Sequence, residues 1–180
     1  MRDADSTTIR NQLLADHADI GMGSLAPLPG FDRHLIFTDR FGVVCPTDHP
    51  LARNWSELTW ADLKGIDFIE NGLCAHIQNE EFKPILNASR LMVPNTASIL
   101  SLVRAGSGVT ILPELAVLPD FIDLEFLPLA DKSVRREVWM LTPQAPMLTP
   151  AAQALANDIR QAEISAPNFR AQRVTSISLK

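Results

Sequence analysis

The stretch Asn95-Thr96-Ala97-Ser98 sets polar side chains directly before the apolar spacing of Ile99, Leu100, Leu102 and Val103. That pattern predicts a helix start. A helix start presents unpaired N–H groups and partial positive charge, which suit a carboxylate or another small anion. The hydroxyls of Thr96 and Ser98 add donors there. Plain helix capping explains the same residues: for Thr96 the two readings balance, and for Ser98 capping leads. Ser24 follows Met22-Gly23 at the carboxyl end of a short expected strand, where α/β folds place ligands, and is read as a ligand contact. Cys45 ends a β-prone run and is read either as a ligand-facing thiol or as a small buried hydrophobe. Cys74 and His76 stand two apart at an expected helix start, a place that can lower a thiol pKa. Side chains two apart on a helix do not share a face, so a joint redox or metal role is disfavoured. Ser101 and Ser107 lack the G-x-S-x-G context of a serine hydrolase. Gly106-Ser107-Gly108 ends a helix where a dinucleotide fingerprint would begin one.

The elements that must position these residues follow from spacing and punctuation. Ile9, Leu13 and Leu14 predict a helix after Asp5, Ser6 and Thr7, and Ala18 to Gly23 predict a buried strand. Leu35–Phe37 and Phe41–Cys45 read as two strands separated by Thr38-Asp39-Arg40, the second stopped by Pro46. Leu58 to Leu63 gives one or two helical turns. Strands are expected at Ile66–Glu70, Arg90–Val93 and Val109–Leu112. A helix is expected over 74–88 with Pro84 in its interior, and another opens at Asn95. The order β-α-β-α-β over 66–112 implies a parallel sheet. Two more strands, at Leu124–Leu127 and Arg136–Leu141, precede a final helix begun by Thr149-Pro150. No strand precedes the helix at Ile9, so a longer N-terminus is expected for the natural protein.

Composition bounds the function. The chain has 180 residues, 46% hydrophobic and 21% charged, enough for a packed core. Its 21 acids against 16 bases argue against a phosphate-backbone binder. No apolar run approaches the ~20 residues of a membrane helix, and the N-terminus lacks a signal-peptide pattern. Two cysteines without C-x-x-C spacing exclude a disulfide framework and argue against structural zinc. No cofactor and no metal are expected, and the two thiols fit a cytoplasmic setting.

Several segments resemble the LysR-type transcriptional regulators. Leu14 with Ala18-Asp19-Ile20-Gly21 is similar to that family's "leucine, then D-I-G-I" segment. Val43-Val44-Cys45-Pro46-Thr47-Asp48-His49-Pro50-Leu51-Ala52 is similar to its "V-V-x-P-x-x-H-P-L-A" crossover, and Leu58 with Leu63 to its "L-x-x-L" element. Val103 to Pro113 resembles "V-x-A-G-x-G-I-x-x-L-P", and Leu148 to Leu155 resembles the closing "L-S-P-A-A-x-A-F" helix. The match runs in order from about Ile9 to Arg160.

The resemblance implies an α/β, type II periplasmic-binding-protein-like fold, with two α/β subdomains joined by two crossover segments and a small-molecule cleft between them. Subdomain I is expected at 1–45 and 142–163, incomplete at its N-terminus. Subdomain II is expected at 46–141, and 164–180 is a tail. The crossovers are expected near Val44–Thr47 and Leu141–Pro143. The implied function is effector sensing, in which a small polar or anionic metabolite controls DNA binding and transcription by the full-length protein. The resemblance places ligand contacts near the first crossover, at the Asn71 loop and at the helix after Asn95. With Ser24, whose strand-end position slightly favours a ligand contact over a simple turn role, the expected effector contacts are Ser24, Cys45, Asn71, His76, Thr96 and Ser98. His49, within H-P-L-A, is assigned to the turn. The family's winged helix-turn-helix is absent, so DNA would be met only through a part outside this chain. Pairing of copies is expected through the helix at 76–87 and the strand at 90–93. A transport solute-binding protein of the same fold is the alternative, and an enzyme ranks last because no catalytic spacing stands out.

Overall fold

The computed structural model describes residues 4–53, 57–117, 121–144 and 148–161. The expected tail lies outside them. Helix α1 (Ser6–Leu14) begins where the Asp5 carboxylate accepts from Thr8 N at 2.8 Å. Ile9 and Leu13 face strand β1 (Gly21–Gly23) so closely that a Cβ at Gly21 would lie 2.7 Å from each. The strand expected from Ala18 is thus only these three residues.

Strand β2 (Phe31–Pro46) is continuous, which corrects the expectation of two strands. Thr38-Asp39-Arg40 holds no glycine or proline to break it. Its charges have partners instead: Asp39 accepts from Leu115 N at 3.2 Å, and Arg40 makes a two-bond pair with Glu114 at 3.0 and 3.1 Å. After 3-10 turns at Pro50–Arg53 and Trp60–Leu63 come strand β3 (Ile69–Glu70) and a 3-10 helix at Gly72–His76. Helix α2 (Lys83–Ala88) is separate and carries Pro84 in its first turn. The single helix expected over 74–88 is therefore two short pieces. Pro84 starts the second, where its missing N–H costs nothing.

Strand β4 (Leu91–Met92), helix α3 (Thr96–Arg104) and strand β5 (Thr110–Pro113) follow. Strands β6 (Leu124–Pro128) and β7 (Arg135–Pro143) and helix α4 (Pro150–Gln161) complete the order. Pairing of β3 with β4 is parallel, and Phe68 bridges parallel to Val109. The expected parallel set is present, but it adjoins β2, which runs antiparallel to both β5 and β6.

The chain divides into two compact units. One holds the chain up to Thr38 and again from Arg136; the other runs from Asp39 to Arg135. Both divisions fall N-terminal of the crossovers expected at Val44–Thr47 and Leu141–Pro143. In the first unit β1 pairs antiparallel with β7, over a small core of Leu13, Leu25, Leu28 and Leu141. The second unit has two larger cores. One gathers Phe41, Val43 and Cys45 with Phe68, Phe82 and Ile111; the other gathers Val44 with Ile99, Val103 and Leu112.

Candidate functional site

Parallel pairing fixes where the carboxyl ends of β3, β4 and β5 lie: Glu70, Met92 and Pro113 share one edge of the second unit. The residues that leave this edge are Asn71, Asn95-Thr96 and Glu114. Phe41 pairs with Pro113, so Asp39 and Arg40 reach the same edge. Carboxyl edges of this kind are where open α/β sheets receive ligands.

At the α3 start, Asn95 is the N-cap. Its side-chain oxygen accepts from Ser98 N at 3.1 Å, and its carbonyl accepts from Ile99 N at 3.0 Å. The N–H groups of Thr96 and Ala97 are left for an outside acceptor. Thr96 is half-buried and Ser98 exposed. The Ser98 hydroxyl lies 3.5 Å from the Asn95 side-chain oxygen, so its polar groups serve the cap.

Asn71 is buried. Its Oδ1 accepts from Leu73 N at 2.9 Å, and its Nδ2 donates to Thr110 Oγ1 at 3.0 Å and to the Ile111 carbonyl at 2.9 Å. Asn71 thereby holds the loop at the β3 end; its amide is engaged within the protein. His76, at the far end of the 3-10 helix, is exposed, whereas Cys74 is buried and faces the core. The two do not share a face.

Cys45 is fully buried and packs with Phe41 and Val43 in the core. Burial, with lesser help from Glu125 and Asp48, pushes its thiol up to about 12. Burial pushes the Cys74 thiol up to about 11. Cys45 thus has the surroundings of a small hydrophobe rather than of a ligand-facing thiol. Ser24 belongs to the first unit, is half-buried, and lends its carbonyl to the Ser6 hydroxyl at 3.5 Å. The structure therefore brings Asn71, Thr96 and Ser98 to one edge and sets Cys45 into the core.

His49 lies away from that edge. Its Nδ1 accepts from Leu51 N at 3.2 Å, which fits the turn role, and burial lowers its pKa against the opposing pull of Asp48. It borders an open groove of about 420 Å³ with Pro50, Leu58, Asp62, Ile66 and Asp67, at the amino end of β3. Asp62 there already accepts from Thr59 N and Oγ1 at 2.8 and 2.6 Å. Among the described residues, no group of three His, Cys, Asp or Glu is placed to hold a metal ion. No helix among them is long and apolar enough to cross a membrane.

Sequence reasoning missed Asp39, Arg40 and Glu114 at this edge, and the buried Thr110 that bonds Asn71 behind it. A threonine within Val109–Leu112 and an acid directly after Pro113 were the available signals.

The family model described as the LysR substrate binding domain matches residues 1–163. The uncharacterized HTH-type transcriptional regulator YnfL of Escherichia coli K12 is 26% identical over 151 residues, covering 78% of this chain and 50% of YnfL. The chain thus spans about half the length of the curated relative it matches. The regulatory domain of CcmR from Synechocystis PCC6803, in complex with 2-PG, is similar with a TM-score of 0.70 at 17% identity. That similarity covers 87% of this chain and 78% of the CcmR chain. A reduced form of OxyR from N. meningitidis is similar with a TM-score of 0.70 at 16% identity, over 89% of this chain and 78% of that one. These two likenesses show a shared fold.

Proposed function

This chain belongs to the LysR substrate-binding domain family, and from that premise we propose that it senses a small polar or anionic metabolite at the carboxyl edge of its second unit. As part of a longer protein, it passes the bound state to DNA binding and transcription. The observation that supports this most is the α3 start. There the N–H groups of Thr96 and Ala97, with the half-buried Thr96 hydroxyl, stand at the same sheet edge as the Asn71 loop. The fixed charges at that edge include a guanidinium, Arg40, committed to Glu114. This favours a ligand of low charge over a polyanion.

A ligand drives such a domain only through different affinities for two arrangements of the protein. DNA is contacted by a winged helix-turn-helix outside these residues, and the full-length protein works as a homo-oligomer. A cytoplasmic setting fits the two free thiols, Cys45 and Cys74.

Calorimetry of the chain against organic acids, amino acids and inorganic anions tests the reading. Thr96→Val keeps the shape, removes one donor and is expected to weaken binding by about 1–2 kcal/mol. A ligand held equally well by parent and variant places the site elsewhere.

A further inference from the structure

Thr110 lies in β5 between Val109 and Ile111, and all three are fully buried. Its hydroxyl donates to the Ile69 carbonyl at 2.8 Å and accepts from Asn71 Nδ2 at 3.0 Å. Nδ2 also donates to the Ile111 carbonyl at 2.9 Å. On this side Asn71 therefore meets only acceptors: a carbonyl, and a hydroxyl whose proton is already committed to Ile69. Only the NH2 end of the amide can face them. The Asn71 carbonyl oxygen is left to turn outward, where it accepts from Leu73 N at 2.9 Å and caps the 3-10 helix Gly72–His76. The hydroxyl, its proton committed to Ile69, thus joins the Ile111 carbonyl in holding the amide in this orientation, and the amide holds the loop.

We infer that Thr110 is a positioning residue for the effector-facing loop, acting through Asn71 and without touching the effector. The inference rests on the reading that the effector meets this edge. Its mechanical part, the control of the loop by the hydroxyl, is measurable without any ligand.

The test is amide hydrogen exchange by NMR on the 15N-labelled chain, comparing the parent with Thr110→Val and Thr110→Ser. Exchange at Leu73, whose N–H meets the Asn71 side-chain oxygen, and at Cys74, whose N–H meets the Asn71 backbone carbonyl at 3.0 Å, is read relative to Ile111 and Leu112. That ratio separates local loosening from global destabilisation. Thr110→Val is expected to raise the ratio about tenfold, the effect of losing one buried hydrogen bond. It should also shift the Asn71 side-chain NH2 resonances, whereas Thr110→Ser restores both to the parent values. If Thr110→Val leaves the ratio and those resonances unchanged, the inference falls. It falls equally if Thr110→Ser loosens the loop as valine does, since the γ-methyl and not the hydroxyl would then be responsible. Should the valine variant fail to fold, Thr110→Ser and Thr110→Ala supply the same contrast. Titration of the parent with acetate, glycine and inorganic phosphate, one probe from each class, checks the underlying reading separately. A bound probe that shifts neither Gly72 nor Thr96 moves the effector elsewhere and leaves the hydroxyl's control of the loop to the exchange data.

Discussion

A thiol is reactive only as thiolate, and both cysteines are held away from that form. Burial raises Cys45 to about 12 and Cys74 to about 11, against an ordinary value of 9.0. Neither thiol is therefore expected to react with iodoacetamide in the native protein at pH 7.5 on the timescale that labels both in denaturant; rapid native labelling would contradict the burial. The same shifts carry a sign for stability. A raised folded pKa gives a contribution fully present below the unfolded value and lost as pH rises toward the folded one. The urea midpoint should accordingly fall as pH rises above 9, and a flat profile up to pH 10.5 would count against it. Ion pairs differ by the same logic of burial. Glu114 is 9% exposed beneath a half-exposed Arg40, so Arg40→Ala leaves a largely buried carboxylate and should cost about 1–3 kcal/mol after allowance for solvent screening. Arg104 and Asp123 are each 44% exposed, and Arg104→Ala should leave the denaturation midpoint nearly unmoved.

Elements end where a side chain or a glycine makes them end. Asn95 caps α3, and Asn95→Ala should lower stability by about 1 kcal/mol in urea denaturation. Gly108 joins α3 to β5 at φ +144°, and a Cβ there would lie 2.5 Å from the Asp67 carbonyl oxygen. Gly108→Ala should therefore cost about 2 kcal/mol or more, because backbone and not a flexible side chain stands in the way. Such local signals were legible in the sequence: Asp5, Asn95 and Thr149-Pro150 mark helix starts that the structure repeats. Long-range ones were not. Whether Asp39 and Arg40 break a strand depends on Glu114 and Leu115, more than seventy residues away. The direction of Cys45 was equally hidden. In β2, Phe41, Val43 and Cys45 enter one core while Val44 enters another, so both faces are apolar and no alternation tells them apart. The site divides the same way. The α3 start could be read from its own residues, whereas Thr110 gains its role only from partners at Ile69 and Asn71, some forty residues off.

At the scale of the whole chain the two units carry unequal cores. Among the described residues the first has one small cluster, Leu13, Leu25, Leu28 and Leu141, with Val138, Met140, Ala152 and Ala156 also buried, and no buried aromatic ring; it leaves Leu14, Met22, Leu35 and Leu155 exposed. The second buries the aromatic group of Trp60, Phe68 and Phe82, with ring centroids 5.1 and 5.6 Å apart, and many aliphatic side chains from β2, β5 and α3. Each fully buried large apolar side chain stabilises by roughly 1.5–3 kcal/mol, so the second unit is expected to resist opening more than the first. Unfolding should depart from a single all-or-none step, with the first unit opening at a lower free energy than the second. Native-state hydrogen exchange across low urea concentrations reads this directly. Amides of α1, β1 and α4 are expected to exchange through a smaller opening free energy than those of β5 and α3. The isotherms should merge only as urea approaches the global transition. If α1 and α3 amides share one isotherm from zero urea upward, the units unfold together, and the difference in their cores has no energetic consequence.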